Sequence, residues 1–470
     1  MNVRELVVGL GRAAKSGRWP RHGGARPGAT RGRSGAPGRG AGRRPSRATS
    51  ALGGAAIGAL VTLVATLVAL NGWPDRDSIA HRVAPAPPVD DGAFVRTLEG
   101  LTGAPFTAGN RVDELRNGDR IFGAMLEAIR GARHSVTFEA NIFGPGEVTR
   151  AFTDALAERA RAGVKVHVLL DWQGARVGAA EAEQMRRAGA EVVFFRPPRW
   201  DTIAELDHRT HRKLLVVDGR LGFVGGVAFS DQWRGDADAP DHWRDTHFEV
   251  EGPAVAHLQA TFAEHWLRVS EGVLQGDAYF PALAPAGEAR AQVVAVTQRA
   301  GGERARLLYL LALAAARRRV RVASSYFIPD GETSAALVAA RRRGVEVEVV
   351  VPGRSADIAV ARLASQTRWR ELLDAGVAIY EYEATMYHCK LVIVDDALVM
   401  AGSTNLNSRS FRLDDEVNVH VLDPALASRL VEAFEADRAR AVRVTAEQWA
   451  RRPVGEQITQ WAAGLLRSQL

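Results

Sequence analysis

Between residues 120 and 195 the apolar positions alternate between two periods, and each change of period marks a new element. Ile121, Phe122, Met125, Leu126 and Ile129 recur at helical spacing, and Ser135-Val136-Thr137-Phe138-Glu139-Ala140 follows as a strand. Ala151 to Ala162 reads as a helix stopped by Gly163, then Val164 to Leu170 as a strand. Ala180 to Ala188 is a further helix closed by Gly189, before the strand Glu191 to Phe195. Helix, glycine stop and β-branched strand in rotation predict an α/β fold, a mixed β-sheet flanked by helices.

The same order returns later. A helix at Arg306 to Arg317 leads to a strand at Val320 to Tyr326, and a helix at Thr333 to Arg343, closed by Gly344, leads to a strand at Val345 to Val351. A third helix, Arg368 to Ala375, ends at Gly376 before the strand Val377 to Tyr382. Each series then reaches a similar octapeptide: His211-Arg212-Lys213-Leu214-Leu215-Val216-Val217-Asp218, and His388-Cys389-Lys390-Leu391-Val392-Ile393-Val394-Asp395. Gly225-Gly226 follows the first and Gly402-Ser403 the second, all at one offset of 177 residues (388 − 211, 402 − 225). A shared offset over several fixed positions predicts two tandem copies of one unit, related by a pseudo-two-fold.

The length, 470 residues with 46% apolar side chains, leaves room for two such units and additional segments. The net charge of +7 is concentrated at one end: residues 1–50 hold twelve Lys/Arg and the single Glu5, a balance of +11, so the remaining chain carries 7 − 11 = −4. This Arg-, Gly- and Pro-rich tail is predicted to be disordered. Residues 51–70 contain no charge and are long enough to span a bilayer; a buried core helix is the alternative. Arg on one side and Trp73 on the other favour a membrane anchor with the tail cytoplasmic and everything after Asn71 across the membrane. Residues 71–90, with Val83-Ala84-Pro85-Ala86-Pro87-Pro88, read as an extended spacer, 91–290 and 291–445 as the two units, and 446–470 as a helical tail. A single Cys389 excludes an internal disulfide framework.

Residues two apart in a strand share a face, so His211 and Lys213 point one way, as do His388 and Lys390. Two such runs meeting would place two imidazoles and two ammoniums around one space. That set suits a phosphodiester: lysines neutralise its charge, one imidazole attacks phosphorus, and the other serves as general acid and base. Asp218 is an odd number of residues from His211 and sits in an Asp-Gly turn, which gives it and Asp395 a largely structural role. Glu416, and less strongly Glu249, are candidates for orienting the imidazoles, and Ser403 and Asn405 can offer donors to phosphate oxygens. A metal reading draws on His208, His211, His242, Asp245 and His247, but 208 and 211 fall on opposite strand faces and a neighbouring lysine repels a cation. No metal and no cofactor is expected.

The doubled His-x-Lys-x4-Asp-x6-Gly-[Gly/Ser] pattern resembles the phospholipase D superfamily over roughly residues 90 to 440. Asp231-Gln232-Trp233, Trp243-Arg244-Asp245-Thr246-His247 and Glu416-Val417-Asn418 look most like bacterial cardiolipin synthases. The resemblance implies a catalytic set of His211, Lys213, Asp218, His388, Lys390 and Asp395, a substrate pocket with Gly226, Ser403 and Asn405, and His211 as nucleophile. It further implies transfer of a phosphatidyl group between two phosphatidylglycerol molecules at a membrane. One departure is Ala228, where the second copy has the family's Asn405, so an asymmetric pocket is expected. Hydrolysis, by a phospholipase or nuclease, is the alternative within enzymes, and an inactive membrane scaffold the alternative outside them. The acidic balance of the body argues against a nucleic-acid partner, and the oligomeric state is left open. The Trp-rich loop from Ser230 to Asp245 reads as either a packed-down loop or the rim of a lipid entrance, the first being preferred.

Overall fold

The computed structural model describes residues 83–175, 179–198 and 208–470, so the basic tail and the candidate span at 51–70 lie outside the described residues. The first half contributes strands β1 (Thr107–Arg116), β2 (Ser135–Ala140), β3 (Lys165–Asp171), β4 (Glu191–Phe195), β5 (Arg209–Thr210), β6 (Leu214–Val217), β7 (Leu221–Gly225) and β8 (Thr246–Glu251). The second contributes β9 (Ala289–Val296), β10 (Arg319–Ser324), β11 (Glu346–Pro352), β12 (Ala378–Tyr382), β13 (Lys390–Val394), β14 (Leu398–Gly402), β15 (Asp414–Leu422) and β16 (Ala441–Val444).

Where the sequence suggested two sheets, the strands join into one sixteen-stranded sheet through β1 and β9, which pair antiparallel with Thr107 opposite Ala291 and Asn110 opposite Ala289. Outward from that seam the orders match, β1-β8-β7-β6-β2-β3-β4 on one side and β9-β15-β14-β13-β10-β11-β12 on the other, with β16 added at the far edge. In each half three strands run parallel (β2-β3-β4, β10-β11-β12) and the hairpin strands run antiparallel beside them. Duplication is therefore visible in topology as well as in sequence. The sequence reading missed β1 and β9 because neither is flanked by the helix-glycine-strand rhythm.

The glycine stops serve the purpose their spacing suggested. Gly163, Gly189, Gly344 and Gly376 all have φ between 85° and 101°, a left-handed conformation that ends a helix without steric cost only for glycine. Helices Asn117–Gly131, Glu147–Arg161 and Ala179–Arg187 cover one face of the first half, and Gln298–Ala315, Gly331–Arg342 and Trp369–Asp374 the matching face of the second. The other face of both halves meets Ala254–Val269 and Pro424–Ala439 in one shared core that includes Phe262, Trp266, Leu430 and Phe434.

The end of the proposed spacer does not stand free. Val83 and Ala86 pack against the second-half core, Val89 is 1% exposed, and Arg317 donates to the Ala86 carbonyl. Apolar residues among its prolines supply the contact.

Candidate active site

Each His-x-Lys run leaves its own half and lies beside a strand of the other. β5 pairs in parallel with the start of β15, Arg209 opposite Asp414 and Thr210 opposite Asp415, and His211 N–H then donates to the Asp415 carbonyl at 2.8 Å. In the second copy Tyr387 bridges in parallel to Arg244, and His388 N–H donates to the Arg244 carbonyl at 2.7 Å. Both histidines thus lie just outside their own strands. The face alternation nevertheless holds: between His211 and Lys213, the fully buried Arg212 turns to the Thr261 carbonyl (2.8 Å), the Glu416 carbonyl (3.2 Å) and Glu264.

This crossing gives each imidazole a carboxylate from the opposite half. Nδ1 of His211 is 3.0 Å from both Glu416 oxygens, and Nδ1 of His388 is 2.7 Å from Asp245 Oδ2. Both acids are fully buried. Trp233 Nε1–H (2.9 Å) and the Thr246 N–H (2.8 Å) donate to Asp245, and Ser403 Oγ–H donates to Glu416. The two acids are structural equivalents: Gly225 lies opposite His247 and Gly402 opposite Asn418, so two residues earlier Asp245 matches Glu416.

Lys213 Nζ donates to the His211 carbonyl (2.7 Å), and Lys390 Nζ to the His388 carbonyl (3.0 Å) and Ser325 Oγ (3.1 Å). Ser325 in turn donates to Asn405 Oδ1 at 2.6 Å, which ties Asn405 to the site through Lys390's partner. Ala228, at the matching first-half position, is 1% exposed within the apolar cluster around Phe229, so the expected asymmetry is present in the surroundings of the two lysines. A Cβ at Gly226 would come 2.6 Å from Asp245 Oδ1; this glycine leaves room for the acid.

Burial and the neighbouring Lys213, Arg209 and Lys390 push His211 well below an ordinary imidazole. Burial and Lys390 lower His388 to about 4, against the pull of Asp245. Asp245 itself, which burial alone would raise, is held low by His388, Lys390 and Trp233. The free site therefore holds a neutral His388 that donates its Nδ1–H to an ionised Asp245, with Lys390 Nζ 3.2 Å from its Nε2. Glu416 is displaced upward by burial and by Asp414, while Lys213 and Ser403 oppose that displacement. Burial also lowers both lysines, with Glu416 restoring part of the loss at Lys213 and Asp245 at Lys390. An entering phosphodiester anion would favour the protonated forms of His388 and the two lysines and disfavour ionised Glu416.

Two sequence expectations need correction. Asp218 and Asp395 do not reach the imidazoles. Asp218 accepts from the N–H groups of Arg133, His134 and Ser135, and Asp395 from those of Arg317, Arg318 and Arg319, each at a φ near 52°. Both tie the hairpin to the start of the neighbouring antiparallel strand, β2 or β10, as their parity suggested, and neither belongs with the reacting groups. Glu249 also lies elsewhere, paired across β8 with Asp113 and Phe223 and facing Arg111 at 3.7 Å, because the orienting acid of the first half is Asp245.

The residues of the metal reading do not converge, since His242 is bound to Asp238 at 2.7 Å while His388 occupies Asp245. His211, Asp414 and Glu416 offer ligand atoms within 4.8 Å of one another, but Arg209 makes a forked pair with Asp414 and Lys213 adjoins Glu416. The loop tryptophans do more than hold the loop down. Trp233 and Trp243 are 2% and 8% exposed, and their rings stand 5.0 and 5.5 Å from His388, with Tyr326 at 6.4 Å. His247, missed as a wall of the site, is fully buried next to Asp245 with neither ring nitrogen bonded to a described residue, and burial lowers it to about 3.

The geometry agrees with what is similar to this chain. A family profile described as "Cardiolipin synthase, PLD-like domain" matches residues 125–266 and 309–438, one match per half. A cardiolipin synthase of Geobacillus kaustophilus is 33% identical over 366 residues, 77% of this chain and 73% of that protein. Cardiolipin synthase A of Pseudomonas fluorescens is 35% identical over 361 residues, 76% of this chain and 74% of that protein. Among solved structures, a phosphatidylserine synthase of Haemophilus influenzae superposes with a TM-score of 0.61 at 14% identity, covering 80% of this chain and all of that one, a likeness of fold. With one complete His/Lys pair and one orienting acid per half, the chain belongs to the cardiolipin synthase family of phospholipase D-like proteins.

Proposed function

We propose that the protein is a phosphatidyltransferase that makes cardiolipin from two phosphatidylglycerol molecules through a phosphohistidine. The supporting observation is the crossed pairing, in which His211 is held by Glu416 and His388 by Asp245, with a lysine beside each. His211 lies among three cations and stays unprotonated, with Nε2 free to attack; His388, between one lysine and an ionised carboxylate, is the better proton carrier. These environments support the reading of His211 as nucleophile and His388 as general acid and base.

His388 first takes up a proton on Nε2 as the phosphodiester anion enters. In the first step His211 Nε2 then bonds to phosphorus and the bond to glycerol oxygen breaks, with His388 donating that proton so that glycerol leaves. In the second, a hydroxyl of another phosphatidylglycerol gives its proton to His388 and attacks phosphorus, and the P–N bond breaks to release cardiolipin. Lys213 and Lys390 neutralise phosphoryl charge in both steps. Residues 51–70 anchor the chain in the cell membrane in this reading, with residues 1–50 cytoplasmic and the body across the bilayer. Incubation of the membrane-bound protein with phosphatidylglycerol labelled in its headgroup tests the reaction. Cardiolipin with one equivalent of labelled glycerol supports transfer, and phosphatidic acid as the main product would replace it with hydrolysis.

A further inference from the structure

The helix Val454–Gly464 presents the opposite amphipathy from an ordinary surface helix. Its inward face consists of small or polar groups: Ala463 is 5% exposed and Gln460 4%, the latter donating to Gln366 Oε1 at 2.9 Å. Its large apolar residues point outward. Val454, Ile458, Trp461 and Leu465 follow one another at spacings of four, three and four, which is one helix face, and they are 71%, 59%, 67% and 67% exposed. A globular surface helix puts such a stripe against the core. No other helix among the described residues lines up four large apolar side chains in water.

The ridge is tied to the active site by a short route. Ala463 packs in a small cluster with Ile328, Ala361 and Ala364, edged by Ile358 and Tyr326, and the Tyr326 ring meets His388. We infer that this helix is a docking element for the lipid–water interface, lying along the bilayer with Ile458, Trp461 and Leu465 among the acyl chains and so bringing the Tyr326 side of the active site toward the headgroups. The inference rests on the reading that the substrate is a phospholipid.

Size and chemistry select a bilayer over a protein as the occupant. Eleven residues make a helix about 16 Å long, whose one face covers a few hundred Å², while a stable protein interface needs roughly 800 Å² from each partner. A bilayer needs no complementary shape, and an indole suits the headgroup boundary. The helix falls well short of the roughly 20 residues needed to cross a membrane, so it lies on the surface. Charges around it are mixed, Arg451, Arg452 and Arg467 with Glu447 and Glu456, so apolar insertion supplies the attachment.

The test uses the full chain in vesicles of phosphatidylglycerol and phosphatidylcholine. Ile458→Cys and Thr459→Cys are labelled separately with nitrobenzoxadiazole, the buried Cys389 of the parent chain serving as the labelling blank. Lipids carrying a nitroxide on the acyl chain should quench the label at 458 at least about threefold more than the label at 459. Equal quenching at both sites, or a blue-shifted 458 label that the nitroxide lipids leave bright, overturns the inference; the latter result would mean that protein covers the ridge. Ile458→Ser/Trp461→Ser/Leu465→Ser should lower the rate on vesicle phosphatidylglycerol about tenfold and the rate on monomeric short-chain phosphatidylglycerol less than about twofold. Equal losses on both substrates overturn it as well. If the parent chain turns over neither substrate, the phosphatidyltransfer reading fails, and the quenching result still decides where the helix lies.

Discussion

Replacing Asp245 by Asn leaves a side chain of nearly the same shape and removes one charge from beside His388. The interaction lost in the reacting state is that of a carboxylate with the imidazolium that His388 becomes while it carries the proton, across a hydrogen bond with Nδ1 and Oδ2 at 2.7 Å and the acid fully buried. Charge centres about 4 Å apart at an effective dielectric constant of about 20 attract by about 4 kcal/mol. At 1.36 kcal/mol per decade this is close to a 10³-fold loss of rate, within the roughly 10²–10⁴-fold range of general acid–base catalysis. Trp233 Nε1–H and His388 Nδ1 share Oδ2 while the Thr246 N–H donates to Oδ1. An Asn whose carbonyl accepts from Thr246 therefore turns its NH2 toward His388 and drives the proton to Nε2, the wrong tautomer. An Asn whose carbonyl serves Trp233 and His388 sets its NH2 against the Thr246 N–H and still lacks the charge. Cardiolipin formation from labelled phosphatidylglycerol should therefore fall about 10³-fold in kcat with little change in KM, while the melting temperature stays within a few degrees. An activated ester, whose leaving group needs no proton, should recover most of the first step. Asp245→Asn activity within tenfold of the parent on phosphatidylglycerol, or an equal loss on the activated ester, would refute the role of this acid. Glu249→Gln, away from the site, should stay within about twofold on both.

Three further outcomes follow from the same structure. Asp218→Ala deprives three backbone N–H groups of their acceptor and places alanine at a φ of 52°, so the thermal midpoint should drop by an amount equivalent to about 2 kcal/mol while kcat at low temperature holds; an unchanged midpoint with lost activity would return Asp218 to the reacting groups. His420, lowered to about 4 by burial, contributes stability that is present above the unfolded value near 6.5 and lost as pH falls toward 4. His420→Gln, which keeps a donor for Gln292, should remove on the order of 2 kcal/mol of that acid-side slope, and identical pH–stability curves would contradict it. Protease added to cells stripped of their outer barrier should degrade the catalytic body, and full protection would reverse the proposed orientation.

The parts of the site legible in the sequence were those set by short-range parity and by duplication. His211 and Lys213 share a face because they are two apart; Asp218 does not because it is seven apart, and the structure puts it on backbone amides. Glu416 was within reach because it follows the Gly402-Ser403 turn closely. Its counterpart was hidden by counting: between Gly225 and His247 the chain is six residues longer than between Gly402 and Asn418 (22 against 16), so the 177-residue offset fails beyond the turn. Glu249 was proposed where Asp245 acts. A comparison of Asp245-Thr246-His247 with Glu416-Val417-Asn418 as strand starts would have found the pair. The exchange of acids between halves is set by pairing of residues some two hundred positions apart, such as Arg209 with Asp414, and no local pattern encodes it. The seam through β1 and β9 was missed for the same reason. The Ala228–Asn405 difference was visible, but its consequence depends on Ser325, a residue singled out only by its place between Lys390 and Asn405.

The central claim is a covalent intermediate on one histidine, with proton transfer by the other. Its most direct measurement is acid-quench-free trapping of the labelled protein from an activated phosphatidyl ester, followed by mapping of the labelled peptide. His388→Asn should accumulate label on His211, stable to alkali and labile to acid, because attack is intact and only the second step lacks its base. His211→Asn should take up none. Label on His388 in the His211→Asn chain would exchange the two roles, and no label in either variant, with turnover persisting in the parent, would contradict the phosphohistidine itself.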